Sequence, residues 1–220
     1  MYDINTCRPG EILHKLATIF ETSREERNLS ALKDGLELST KVDISRFNKS
    51  ELCRFHYFVA NGWSYVLLLK YDSPKKAGLS SMEYEKEIYH LRVALNFIDD
   101  TDEINACQIL TNLGCAFSHI GRYVGAQYYF NWALRINPDF GMALGNKGYG
   151  LYRYAREIFD AGHQFIFLQY ARKYLLEALG KKDVYSDVEK GFRELANHIA
   201  NSCPLASWDD YKVYPDILKD

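Results

Sequence analysis

Apolar residues recur along most of this chain at three- and four-residue steps, the spacing of one face of a helix. The pattern is cleanest over residues 107–140. There Leu110, Leu113, Ala116 and Phe117 form one stripe, and Ala126, Phe130, Ala133 and Leu134 form a second. Gly121 interrupts the first stripe, and Asn137-Pro138 ends the second, because proline cannot continue the helical hydrogen-bond ladder. The stretch predicts two helices joined by a tight turn.

The same period predicts helices on either side. Residues 9–22 carry Ile12, Leu13, Leu16, Ile19 and Phe20 on one stripe, with Pro9 in the first turn. Residues 24–42 are more loosely periodic in leucine, and 43–49 form a polar break. A strong helix is predicted over 50–71, a loop over 72–81 (DSPKKAGLSS) and a partner helix over 82–97. The acidic turn 99–103 suits the start of the next helix, where carboxylates complement the helix dipole. After the central pair, a helix is predicted from Gly141 to about Phe159, a turn at Ala161-Gly162-His163, and a partner helix over 164–179 with Ala171, Leu175 and Ala178 as its packing positions. Gly180 is a good stop. Val188, Phe192, Leu195 and Ile199 mark a last amphipathic helix over 185–201, and the tail after it reads as irregular. The expectation is an all-α chain of about 8–9 helices.

Spacing adds to periodicity. Leu110-x2-Leu113-Gly114-x2-Phe117, then Gly121, Ala126-x3-Phe130, Ala133 and Pro138, resembles a tetratricopeptide repeat, with Leu110 where that family prefers Trp. Leu144 and Gly148 follow Leu110 and Gly114 by 34 residues (144 − 110 and 148 − 114), the period of that repeat. Phe58-x2-Asn61-Gly62-x2-Tyr65 mimics the same small-residue step upstream. The resemblance implies a right-handed superhelical stack of antiparallel helix pairs spanning 1–220 as one solenoid. Its parts would be an N-terminal cap at 1–49, repeats at about 50–100, 107–140 and 141–180, a capping helix at 183–203 and a tail at 204–220. Insertions are expected between Tyr71 and Met82 and near 159–164. The segment 137–155, NPDFGMALGNKGYGLYRYA, also resembles the repeat region that precedes a C-terminal HEPN domain in certain prokaryotic proteins. That implies a recognition half of a HEPN-type ribonuclease toxin or defence protein, with the chain continuing past Asp220.

A repeat stack of this type lines its concave face with the first helix of each pair. The positions so implied are Gln108, Thr111, Asn112, Cys115 and His119 in the central repeat. Met142, Gly145, Asn146, Tyr149 and Arg153 follow in the next one, and His56, Val59, Ala60 and Trp63 are their upstream equivalents. Asn112 and Asn146 share one repeat position, and a carboxamide there, with donor and acceptor, suits the backbone of an extended peptide. The alternative is that these Asn side chains cap or bridge neighbouring helices. His56 and Val59 make a poor basic cradle, so an acidic C-terminal peptide held by a two-carboxylate clamp is not favoured. The expected role is a non-catalytic protein–protein interaction scaffold.

Composition narrows the rest. Hydrophobic content of 47% supports a core, and 15% aromatic content permits an apolar homo-oligomer surface without requiring one. The net charge of −2 (27 − 29) provides no field to attract nucleic acid or an anionic membrane. The N-terminus lacks an apolar run behind basic residues, and the run from Trp63 to Leu69 is too short to span a bilayer, so a cytoplasmic location is expected. The five cysteines contain no CxxC pair, and neither a metal nor a cofactor is expected. No phosphate loop, HExxH or GxSxG occurs. Arg193-x4-His198 fits the Arg–His spacing of HEPN ribonucleases, but so do Arg156-x6-His163 and Arg8-x5-His14. Glu194, Glu157 and Pro9 follow the three arginines, and no catalytic residue is assigned.

Overall fold

The computed structural model describes residues 4–71, 81–99 and 101–202. Among them regular structure is entirely helical: α1 (Pro9–Glu25), α2 (Leu29–Thr40), α3 (Lys49–Tyr71), α4 (Met82–Asn96), α5 (Glu103–His119), α6 (Tyr123–Ile136), α7 (Gly141–Ala155), α8 (Ala161–Glu177) and α9 (Ser186–Ser202), with short 3-10 turns before α1 and α3. The loop expected at 72–81 and the tail expected at 204–220 lie almost wholly outside the described residues.

Most helix boundaries follow local chemistry. Asn28 caps α2 by accepting from the Ala31 amide, and Asp102 and Asp160 do the same for α5 and α8. Gly121 and Gly180 close α5 and the end of α8 with φ of +76° each, a conformation glycine adopts without a steric penalty. Asn137 caps the end of α6, ahead of Pro138.

Two boundaries differ. Helix α1 runs on through Glu25, so the helix expected from 24 starts at Leu29, where Asn28 caps it. The helix expected to run on to Phe159 stops at Ala155, and 161–163 is not a turn but the first turn of α8. The Asp160 carboxylate accepts the His163 amide at 2.7 Å and so starts α8 there, against the apolar pattern that invited α7 to continue.

Consecutive helices pack tightly as α3 with α4, α5 with α6, and α7 with α8. Further contacts link α1 with α3 and α5 with α7, the next helix but one in each case, and α9 closes against α8. The close approaches depend on missing side chains. A Cβ on Gly114 would stand 2.4 Å from the Phe130 ring, and one on Gly148 would stand 2.7 Å from the Ala171 carbonyl. Phe130 and Leu175, the residues seated over these glycines, are fully buried. The expectation for Gly62 differs from what is found. Its vacant Cβ position faces Leu36 and Phe20 of the preceding helices, not α4. Ala60, two residues earlier, joins Leu91 and Ala94 in the core of the α3–α4 pair.

The third pair is tied to α9 by one carboxylate. Asp183, between α8 and α9, accepts the amides of Gly141 at 3.0 Å and Met142 at 2.9 Å, which are unpaired donors in the first turn of α7. Lys181 pairs with Asp139 alongside it.

Candidate functional site: a tyrosine and carboxamide face on α3, α5 and α7

The residues expected to share a groove separate into two groups. His56 and Thr111 are interior: they are 7% and 3% exposed, so neither lines an open surface. His56 turns toward α4, where its Nδ1 stands 2.9 Å from Nδ1 of His90 and its ring stacks on Phe97. Thr111 is buried with its hydroxyl lacking a hydrogen-bond partner. Val59 and Ala60, expected beside His56, are core residues too. The physical reason is the register of α3: Ala60 rather than Gly62 packs with Leu91 and Ala94 of α4, which turns His56 toward α4 and Val59 into the core shared with α1 and α2.

The second group is half-buried. Asn112 is half-buried on α5, and its carboxamide meets the Tyr57 hydroxyl, as does that of Asn61 one turn along α3. Cys53 and Ala60 of α3 share a core with Ile109 and Leu113 of α5. Asn146, half-buried on α7, donates from Nδ2 to the Met142 carbonyl at 2.8 Å within its own helix. The two Asn residues in repeat register therefore already use part of their bonding capacity inside the protein, and each keeps further acceptor and donor sites. Arg153 donates to the Ser118 carbonyl at 2.8 Å and lies over the Tyr123 ring. Trp63 carries the Lys86 ammonium 4.1 Å above its ring. His119 stands against Tyr84, and Gln108 is half-buried on α5.

Tyr149 and Asn146 open on a cleft of about 660 Å³ between α7 and α9. Its remaining walls include Tyr152, Arg156, Val188, Phe192, Leu195 and His198. Tyr185 is 75% exposed on the α8–α9 connection.

Between α3 and α4 lies a carboxyl group with no ion-pair partner among the described residues. Glu87 on α4 is 6% exposed, its partner is Ser64 of α3, and burial pushes its pKa up to about 8. It is protonated at neutral pH. Burial likewise pushes Cys115 up to about 12 and Cys53 and Cys107 up to about 11, so these thiols are not nucleophilic. Burial lowers His56, and it lowers His90 to about 4, helped by His56 and Lys86. The buried titratable groups around this face are thus uncharged, and what it presents is aromatic and hydrogen-bonding.

Arg193 and His198 do not converge. Arg193 is held by Glu189 at 2.7 Å on the outer side of α9, while the His198 ring stands edge-on to Tyr152 in the cleft. Among the described residues no group of His, Cys, Asp and Glu could hold a metal ion, and no helix is long and apolar enough to cross a membrane.

Sequence reasoning missed Glu87, Tyr57, Asn61 and the α7–α9 cleft. A signal existed for Glu87. It lies three residues after Tyr84 and four before Leu91, on the stripe that those buried residues and Ala94 define, so a helical plot of 82–96 places the carboxyl inside. Tyr57 and Asn61 had none, because their role depends on how α3 is rotated against α5.

No family model matches this chain, and neither a curated protein nor a solved structure is significantly similar to it.

Proposed function

We propose that the chain is a non-catalytic protein–protein interaction scaffold, a tetratricopeptide-like stack of helix pairs that holds an extended protein segment on the face formed by α3, α5 and α7. One observation carries this reading. Asn112, one of the carboxamides in repeat register, sits half-buried on α5 with the Tyr57 hydroxyl and Asn61 of α3 beside it. A carboxamide held in this way is pre-oriented, so a segment laid across it loses less side-chain entropy on binding. The repeat geometry lends further support, since Gly114 and Gly148 serve the same close approach 34 residues apart.

Surrounding chemistry favours a peptide over a charged polymer. The face has tyrosines and carboxamides, its buried acid is neutral, and cations are few and engaged with aromatic rings or carbonyls. Peptide main chain, with alternating donors and acceptors, is the ligand such a surface satisfies.

The experiment is affinity capture of partners with the wild-type chain and with Asn112→Ala/Asn146→Ala, each first shown to melt cooperatively. Selective loss of one or more wild-type partners is expected. Identical recovery by the folded variant would refute the groove.

A further inference from the structure

We infer that the cleft between α7 and α9 is the anchoring pocket of this face, taking an aromatic or aliphatic side chain together with a neighbouring carboxylate of the bound segment. The inference rests on the groove reading and specifies the partner's chemistry. The cleft shares Asn146 and Tyr149 with the face, so a segment crossing Asn112 toward α9 runs into it. Its floor is apolar, with Phe192 nearly buried and Val188 and Leu195 half-buried beside it. At about 660 Å³ it has room for a large side chain and the backbone that carries it.

Charge sets the second element. Arg156 is the cation of the cleft, exposed, with its guanidinium 5.8 Å over the Tyr152 ring and no carboxylate within ion-pair distance among the described residues. Glu194, the acid in the cleft wall, is exposed and stands 4.0 Å from Lys190. An aromatic ring beneath a guanidinium orients its donor fork, and a planar carboxylate matches that fork. A segment with a carboxylate next to its anchoring side chain fills both halves of the pocket.

The test uses fluorescein-labelled peptides, otherwise uncharged, with the cores Trp-Asp-Asp-Phe, Trp-Asn-Asn-Phe and Trp-Lys-Lys-Phe, titrated by polarisation against the full chain. The acidic peptide is expected to bind about fivefold tighter than the amide peptide, with the preference falling as salt rises. Arg156→Glu is expected to reverse the order, so that the lysine peptide becomes the tighter ligand, a swap that a merely structural role of Arg156 would not produce. Equal binding of all three peptides, no binding at about 1 mM, or an unchanged order in Arg156→Glu would overturn the inference. Self-association of the chain that Arg156→Glu abolishes would assign the cleft to a second copy and overturn it also. Failure here leaves the groove standing if Asn112→Ala still loses its captured partner, whereas reversal by Arg156→Glu with unchanged capture by Asn112→Ala keeps the cleft and removes the groove.

Discussion

The Nδ1 atoms of His56 and His90 face one another at 2.9 Å between α3 and α4, so one must donate and the other accept. Both cannot carry a second proton without losing that bond. Their burial already lowers both, His90 to about 4. In the unfolded chain a histidine titrates near 6.5. Between those values the unfolded state takes up protons that the folded state refuses, so stability falls as pH drops from about 6.5 toward 4. Urea unfolding at pH 7 and pH 5 measures it. His90→Gln, which keeps a polar side chain that does not titrate, is expected to flatten this dependence. An equally steep loss in that variant would remove the histidine pair as its cause.

Glu87 acts in the opposite sense. Its folded pKa, about 8, lies above the unfolded value of 4.5, so the neutral acid favours the fold below 4.5 and that contribution is lost as pH rises through 8. Glu87→Gln is expected to match wild type near pH 5 and to exceed it at pH 9 by on the order of a few kcal/mol. Thermal melts of the two proteins at those pH values decide it.

Two glycines separate packing from backbone effects. Gly114→Ala drives a methyl group into the Phe130 ring, and a net loss of about 1–2 kcal/mol is expected even though alanine favours helix. Gly191, in the interior of α9, has nothing within 4 Å of its vacant Cβ position. Gly191→Ala is expected to raise stability by about 1 kcal/mol. The signs of the two midpoint shifts in denaturant are the readout.

Asp183→Ala removes the acceptor for two first-turn amides of α7, and a loss of about 1–2 kcal/mol is expected. Asp183→Asn keeps one acceptor oxygen and is expected to lose less. Equal losses would point to packing rather than to capping.

How far these features could be read from the residues differs by kind. Helix existence followed from periodicity, and the stops at Gly121, Asn137 and Gly180 from local backbone chemistry. The end of α7 was misplaced because Tyr152, Tyr154 and Phe159 prolong an apolar pattern, while the cap that overrules it is one side chain, Asp160. The site was less legible. Asn112, Asn146 and Tyr149 are half-buried, whereas His56 is interior because the rotation of α3 between Ala60 and Gly62 is invisible to spacing alone, and Thr111 is interior on α5. The cleft forms between helices whose seating depends on Asp183, a contact 42 residues from Gly141.

That contact has a kinetic meaning. The amides of Gly141 and Met142 are covered by Asp183 while the α8–α9 connection is seated, so their exchange is expected to follow the lifting of that connection from α7. Hydrogen exchange at those two amides reports, from the start of α7, the seating of the segment that leads into the last described helix.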